Sequence, residues 1–219
     1  MDFKRINIVS GHYGSGKTNI AVNLALELKK LYNNVALADI DIVNPYFRSK
    51  DSEDELMKND IRFICSPYAN SNVDIPALPQ EIYSVTDDKS LYSILDVGGD
   101  ERGALALGRV VPEIKKENNY QMLYVVNFFR PLTSDIASAV EVMREIEDAC
   151  KLNFSGIIHN SNLGAETEKE DYLSALKKSE ELSRITNLPI VLNTVSEKLY
   201  EQLNGTVPDL YPIKLQIKL

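Results

Sequence analysis

Short apolar runs recur along the chain and alternate with segments of helical periodicity. The predicted strands cover residues 4–9, 35–39, 61–65, 92–96, 121–126, 156–159 and 189–193. Apolar residues are continuous within these runs rather than alternating with polar ones, which indicates strands that are buried on both faces. Helix-like segments follow most of them. The pattern therefore predicts an α/β fold, a mostly parallel twisted sheet with helices on both faces.

Three segments carry the periodicity or the start signals of helices. The first is predicted to begin at Thr18 and places five apolar residues on one face: Ala21, Leu24, Ala25, Leu28 and Leu31. The second covers residues 134–150, with apolar residues at helical spacing: Ile136, Val140, Met143 and Ile146. Thr167 and Glu170 form a predicted capping box for a third helix that runs to about residue 184.

The connection between the first strand and the first helix matches the P-loop pattern G-x-x-x-x-G-K-[ST]. It reads Gly-His-Tyr-Gly-Ser-Gly-Lys-Thr from Gly11 to Thr18. Such a loop aims backbone N–H groups at phosphate oxygens, while Lys17 bridges the outer phosphates and the Thr18 hydroxyl binds Mg²⁺. A glycine-rich turn without a ligand would not need the Lys-Thr pair. The residues predicted to surround a nucleoside triphosphate are Gly11, Gly14, Ser15, Gly16, Lys17, Thr18 and Asn19.

Carboxylates follow the second and fourth predicted strands, where ligands of parallel sheets bind. Asp96 emerges from buried apolar residues, and a buried carboxylate is costly without a cation, so Asp96 is predicted to face Mg²⁺. Asp39 is assigned to the outer shell of the same ion. Asp41 is predicted to position the attacking water; the alternative is a turn in which Asp41 and Asn44 cap loop N–H groups.

The fourth strand is followed by Gly98-Gly99-Asp100-Glu101-Arg102. Gly99 leaves room for a backbone N–H to approach the γ-phosphate, and loss of that contact after hydrolysis would release the loop. Asp100 is a second candidate for orienting water in catalysis. It equally fits a solvated helix start with its charged neighbours. Both interpretations of Asp100 stay open on the sequence.

Composition limits the partners. The net charge of −8 argues against a broad nucleic-acid surface, which needs clustered Lys and Arg. Cys65 and Cys150 lie far apart and show no zinc or iron–sulfur spacing. No apolar run approaches the roughly 20 residues that span a bilayer. We therefore expect one nucleotide-binding domain over residues 1–219, a cytoplasmic location and no membrane anchor. Residues 66–88, which contain three prolines, are the least regular segment and a candidate flap beside the nucleotide.

The order of these motifs resembles the SIMIBI branch of P-loop proteins, the MinD/ParA/nitrogenase-iron-protein group. The resemblance extends from the P-loop through Asp39-x-Asp41 and Asp96-x-Gly98-Gly99 to the strand ends at Asn160 and after Leu188-Pro189. It implies a P-loop NTPase three-layer sandwich that binds ATP and Mg²⁺. It also implies that Asn160 contacts adenine and that Val195 and Ser196 lie against the base. Asn160 would also suit a turn beside Asn162.

Two departures from this group concern its dimer and its membrane contact. Many members carry a second lysine early in the P-loop that reaches across a nucleotide-sandwich dimer, and the matching positions here are His12 and Tyr13. A homodimer stays open on the sequence, but dimerisation through that nucleotide bridge is not expected. The candidates for a substitute cation are Arg48, Arg102, Arg109 and Arg130, each of which also fits a surface ion pair. The tail 211–219 alternates like a strand and does not match the basic amphipathic membrane helix of MinD.

Three functions fit these features. The first is a slow, Mg²⁺-dependent ATPase that acts as a nucleotide switch for a protein partner. The second is a GTPase metallochaperone of the urease or hydrogenase maturation type, although the strand end after His159 lacks the Asp of the guanine-binding Asn-Lys-x-Asp motif. The third is a small-molecule kinase or ligase in which residues 66–88 shape an acceptor pocket.

Overall fold

The computed structural model describes residues 2–40, 53–65, 79–99, 103 and 106–214. The strands are β1 (Ile6–Ser10), β2 (Val35–Asp39), β3 (Arg62–Ile64), β4 (Tyr92–Val97), β5 (Tyr120–Val126), β6 (Gly156–His159), β7 (Ile190–Ser196) and β8 (Leu210–Ile213). The helices are α1 (Lys17–Leu31), α2 (Glu53–Lys58), α3 (Ser84–Asp87), α4 (Val111–Glu117), α5 (Ile136–Cys150), α6 (Lys169–Thr186) and α7 (Glu197–Leu203). Short 3₁₀ helices cover Gln80–Tyr83, Pro131–Thr133 and Gly164–Glu166.

The strands form one sheet in the order β3-β2-β4-β1-β5-β6-β7-β8, and every neighbouring pair is parallel. Successive residues of β1 serve opposite faces. Ile8 packs in the same apolar cluster as Met143 of α5, whereas Val9 packs in the same cluster as Leu24 of α1. Helices therefore cover both faces of the sheet, which explains the continuous apolar runs. The predicted α/β fold is confirmed.

Strand β1 lies in the middle of the sheet, between β4 and β5. Helix α1 follows β1 and leads to β2, which pairs with the far side of β4. The chain leaves β1 toward one side of the sheet, while β5 lies on the other side. Connections that diverge in this way open a crevice at the carboxyl edge of the sheet, and ligands of such folds bind there. The P-loop follows β1 and is therefore at this crevice.

The predicted capping box of the third helix is wrong. Helix α6 begins at Lys169, and its N-cap residue Glu168 makes no side-chain capping bond. The Thr167 hydroxyl instead donates to the carbonyl of Gly164 at 3.0 Å and accepts from the N–H of Leu163 at 2.8 Å. Thr167 therefore closes the preceding turn, because that turn lies within its reach. The helix ends at Thr186, two residues beyond the predicted end.

The structure corrects one predicted position of α1 and confirms part of the predicted strand in the tail. Leu31, predicted for the buried face of α1, is 65% exposed because the helix ends there and Tyr32 is already extended. The tail was predicted to have strand character, and β8 confirms it for Leu210–Ile213. Residues 215–219 lie outside the described ranges. In the part of the chain that the structure describes, no helix combines the length and apolarity needed to cross a membrane.

Candidate functional site

The P-loop forms a tight turn between β1 and α1. The N–H of Ser15 donates to the carbonyl of His12 at 3.0 Å, and the first helical bond runs from the N–H of Ile20 to the carbonyl of Gly16 at 3.1 Å. Gly16 is the N-cap of α1 without a side-chain cap, and it adopts φ 90°. The first N–H groups of a helix have no partner four residues earlier, so they are donors for an anion. The local geometry is that of a phosphate cradle.

Two positions, one in the P-loop and one beside it, require glycine because a side chain or backbone atom of another residue comes very close. A Cβ at Gly16 would lie 2.2 Å from the side-chain nitrogen of Asn160, and a Cβ at Gly99 would lie 2.0 Å from the carbonyl oxygen of Gly11. Real contacts of this kind do not occur below 3.0 Å. The loop after β4 therefore touches the first P-loop residue directly. Gly99 lies against the backbone of the P-loop, and its approach to a γ-phosphate stays a prediction.

Lys17 and Thr18 occupy the first turn of α1. The Lys17 residue is only 6% exposed, whereas Thr18 and Asn19 are half-buried. A lysine is rarely buried to this degree unless its ammonium group is compensated. The turn therefore brings a cation, a hydroxyl and helix N–H groups together at the carboxyl edge of β1. These are the group types that the motif predicts for binding phosphates and Mg²⁺.

Asp39 and Asp96 are direct neighbours across the β2–β4 ladder. Asp96 is also in register with Val9 of β1, whose side chain lies in the α1 cluster. Because residues in register share a face of the sheet, both carboxylates face the α1 side. Asp96 is 1% exposed, and Asp39 is half-buried. The two predicted metal residues therefore lie together near the first turn of α1.

The donor set fits Mg²⁺ better than a transition metal. Magnesium keeps several waters and takes one or two carboxylates plus phosphate oxygens rather than a full protein cage. Asp39, Asp96 and the hydroxyl of Thr18 are hard oxygen donors of this type. Within the described ranges, no group of three or more His, Cys, Asp or Glu could hold a metal ion by itself.

Both predicted water-positioning residues, Asp41 and Asp100, lie outside the described residues. The same is true of residues 66–78 of the predicted flap, and of Arg48 and Arg102 among the candidate cations. Arg109 is described and is exposed. Arg130 lies at the P-loop, where its Nε donates to the carbonyl of Gly14 at 2.8 Å.

Asn160 braces the P-loop from the end of β6. Its side-chain nitrogen donates to the carbonyl of Ser15 at 2.7 Å, and its side-chain oxygen accepts from the hydroxyl of Thr194 at 2.7 Å and from Asn162 at 3.1 Å. Asn160 is 1% exposed. These bonds tie β6 and β7 to the loop before α1. Sequence reasoning missed Thr194, whose position in a buried strand gives no local signal of this contact.

Replacing Asn160 with alanine is expected to weaken ATP and GTP binding alike, by about tenfold. A buried carbonyl left without its donor costs about 1–3 kcal/mol, and the Ser15 carbonyl belongs to the loop that both nucleotides would use. Competition binding with a fluorescent nucleotide measures both affinities, with exposed Asn153→Ala as the matched control. A loss confined to ATP would instead support the adenine contact that the resemblance implies.

The two residues predicted to lie against the base, Val195 and Ser196, are the last residues of β7 and border a narrow crevice at the ends of β6 and β7. Its lining includes Asn162, Thr194, Val195 and Ser196, and it holds ≈ 10 Å³, room for about one water. Val195 is 2% exposed, and the hydroxyl of Ser196 caps α7 by accepting from Leu199 at 3.4 Å. The contact of Val195 and Ser196 with a base stays a prediction. A base would enter this crevice only if its walls separate.

His159 precedes Asn160 and belongs to the buried support of this edge. Its Nδ1 is 2.7 Å from the Ser179 hydroxyl, and its ring lies edge-on to Tyr172 with centroids 4.9 Å apart. Burial lowers the pKa of His159 to about 3, so the imidazole is neutral at physiological pH. We conclude that His159 joins β6 to α6 as a neutral group rather than as a cation for phosphate.

The chain is similar to known nucleotide-binding proteins in sequence and fold. The model of the CobQ/CobB/MinD/ParA nucleotide binding domain matches residues 6–206. A search of curated proteins gives no significant match. Solved structures with a similar fold include FtsY from Mycoplasma mycoides (20% identity, TM-score 0.55), chloroplast FtsY from Physcomitrella patens (16%, 0.60) and cell division protein FtsY from Thermotoga maritima (18%, 0.59).

Each of these matches covers 90% of this chain but only 63%, 60% and 63%, respectively, of the FtsY chains. The chain therefore spans about three fifths of the length of the structures it resembles. At these identities the likeness shows a shared fold, and the match to the family model over residues 6–206 confirms the resemblance predicted from the motifs.

Proposed function

Since the chain belongs to the CobQ/CobB/MinD/ParA nucleotide-binding family, we propose that it is a slow, Mg²⁺-dependent ATPase that serves as a nucleotide switch for a protein partner. The proposal treats residues 1–219 as one nucleotide-binding domain that acts in the cytoplasm, alone or as a homodimer. Nucleic acid is not among the proposed partners, because the net charge is −8, and the proposal includes no membrane anchor.

The observation that carries the proposal is the position of the Asp39–Asp96 pair beside the P-loop. Asp96 is in register with Val9, two residues before Gly11, and with Asp39 on its other side. A buried P-loop lysine and two carboxylates at one crevice supply the opposite charges that a magnesium–triphosphate complex requires. This arrangement therefore supports the binding and hydrolysis of a magnesium–nucleoside triphosphate complex.

Each residue has a distinct proposed role in the reaction. Lys17 neutralises charge on the outer phosphates, and the helix N-terminus adds N–H donors. Thr18 and Asp96 would hold Mg²⁺, with Asp39 beside them, and the ion when bound neutralises charge that develops on the phosphates. Asp41 orients the attacking water. Gly99 packs on Gly11, so the loop after β4 would change its contacts with the P-loop when the γ-phosphate is lost.

We favour ATP over GTP because of the strand end at β6. The sequence His159-Asn160-Ser161-Asn162 has no carboxylate to pair with the N–H groups of guanine. Loss of such a paired contact costs about 1–3 kcal/mol. Competition in which GTP binds more tightly than ATP would favour a metallochaperone GTPase. Transfer of phosphate from ATP to a small acceptor would favour a kinase or ligase.

Single-turnover hydrolysis of saturating ATP tests the mechanism. The Asp41→Ala variant is expected to bind ATP and Mg²⁺ normally but to hydrolyse ATP about 10²–10⁴-fold more slowly, because water positioning acts only on turnover. Asp100→Ala, measured in parallel, is the comparison. Normal turnover in Asp41→Ala with loss in Asp100→Ala would assign water positioning to Asp100. Capture of a protein by the ATP-bound but not the ADP-bound chain would test the switch.

A further inference from the structure

Arg130 lies against the apex of the P-loop, although it is 116 residues away in sequence. Its Nε donates to the carbonyl of Gly14 at 2.8 Å. A methyl group at Gly14 would lie 3.4 Å from this Nε and 3.5 Å from the Cδ of the arginine, so the side chain packs over the glycine in ordinary contact. The guanidinium group therefore has a fixed place on the phosphate-binding loop.

The backbone that presents Arg130 is also held in place. The turn after β5 is closed by a bond from the Arg130 N–H to the carbonyl of Asn127 at 3.2 Å and by one from the Thr133 N–H to the carbonyl of Arg130 at 3.1 Å. The buried hydroxyl of Thr133 donates to the same Asn127 carbonyl at 2.7 Å. A guanidinium on such a braced turn loses little freedom when it binds a ligand, which is the condition for preorganised electrostatic stabilisation.

The guanidinium keeps its charge available on this loop. Arg5 and Arg144 each pair with a carboxylate, Glu117 and Glu147, respectively. Among the described residues the Arg130 side chain has no ion pair, and Nε is the one guanidinium nitrogen that takes part in a hydrogen bond. The terminal nitrogens carry further N–H donors in a planar fork that matches phosphate oxygens. The side chain is half-buried, so a bound anion would be partly shielded from water.

The early P-loop position His12 gives no comparable cation. Its Nδ1 lies 2.9 Å from the carbonyl of Tyr13 within the same loop. An imidazole is shorter than a lysine side chain and is not a fixed cation, unlike a guanidinium. Among the described residues at the P-loop, Arg130 therefore supplies the positive charge in addition to that of Lys17.

Resting on the ATPase function proposed above, we propose that Arg130 contacts the outer phosphates of ATP from within the same chain and stabilises the charge that develops during hydrolysis. In this reaction water forms a new bond to the γ-phosphorus, and the bond from that phosphorus to the β–γ bridging oxygen breaks. The electron pair leaves with ADP, and the proton of the water passes to inorganic phosphate and solvent. The terminal N–H groups of Arg130 stabilise the oxygens that gain charge.

Three variants separate this role from mere support of the loop. Arg130→Gln keeps a donor for the Gly14 carbonyl but removes the charge. Arg130→Lys keeps the charge but replaces the planar fork with a single ammonium group. Arg184→Gln removes an exposed arginine from the last turn of α6 and is the matched control. Each is measured for single-turnover ATP hydrolysis and for affinity for ATP and for ADP by calorimetry.

We expect Arg130→Gln to hydrolyse ATP about 10²–10³-fold more slowly than the wild type while its ADP affinity changes little. The hydrolysis rate of Arg130→Lys is expected to lie between those of Arg130→Gln and the wild type. Arg184→Gln is expected to match the wild type. Wild-type turnover in Arg130→Gln would overturn the inference. Equal losses of ATP and ADP affinity with an unchanged rate for bound ATP would also overturn it, since Arg130 would then only hold the loop. A wild type that hydrolyses no nucleotide would contradict the proposed function itself.

Discussion

ATP affinity is expected to fall by about two orders of magnitude or more when Lys17 is replaced by alanine, while the fold persists. Removing one partner of a buried charge pair costs about 2–5 kcal/mol, which corresponds to roughly 30-fold to several thousand-fold in affinity. Lys17 lies in the first turn of α1 and is 6% exposed, whereas the apolar face of the helix carries its packing. Calorimetric titration with Mg²⁺ and ATP measures the loss.

Lys30 is the matched control for this experiment. It lies in the last turn of the same helix, and its exposed ammonium pairs with Glu27. Lys30→Ala is expected to bind ATP like the wild type, because α1 places its two ends at opposite edges of the sheet. Thermal unfolding of both variants verifies that they are folded. A folded Lys17→Ala protein with wild-type ATP affinity would refute the nucleotide site.

A loss of about 3–5 kcal/mol in the free energy of unfolding is expected when Arg5 is replaced by methionine. Arg5 is 3% exposed and donates to the carbonyls of Val85 at 2.9 Å and Leu91 at 2.8 Å, and it pairs with Glu117. Methionine leaves the two carbonyls without their buried donor and leaves Glu117 with the exposed Lys89 ammonium, 2.7 Å away, as its cation. Urea unfolding gives the free energy, with surface Lys116→Met, expected to cost well under about 1 kcal/mol, as control.

The same pair gives this loss a pH dependence. The hydrogen bond from Arg5 is the main cause that lowers the pKa of Glu117 from its ordinary value of 4.5. A lowered pKa in the folded state stabilises the protein fully above the unfolded pKa, and this contribution disappears as the pH falls toward the folded value. The difference between wild type and Arg5→Met should therefore shrink below about pH 4.5. A difference that stays constant down to pH 3 would argue that the carbonyl contacts alone stabilise the fold.

Local patterns in the sequence determined the strands of the sheet and the residue types of the P-loop. Buried parallel strands need apolar residues at every position, so the seven predicted strands lie within a few residues of β1 to β7. The P-loop is also a local pattern, since its glycines, Lys17 and Thr18 lie within eight consecutive residues. Start signals of helices were less reliable. Thr167 had two nearby backbone partners, and the sequence alone did not show that the turn before α6 would take its hydroxyl.

The sequence patterns and the resemblance predicted that Asp39, Asp96 and Asn160 lie near the nucleotide, but only the tertiary structure decided which contacts they make at the crevice. The strand order puts β4 between β1 and β2, and this order brings Asp39 and Asp96 side by side. The bond from Asn160 to Ser15 joins residues 145 apart, and Arg130 reaches Gly14 across 116 residues. Such contacts depend on which strands pair and how helices pack over them, and no spacing in the sequence encodes that choice. The sequence by itself predicted a phosphate site after β1, whereas the packed sheet determined which side chains lie around that loop.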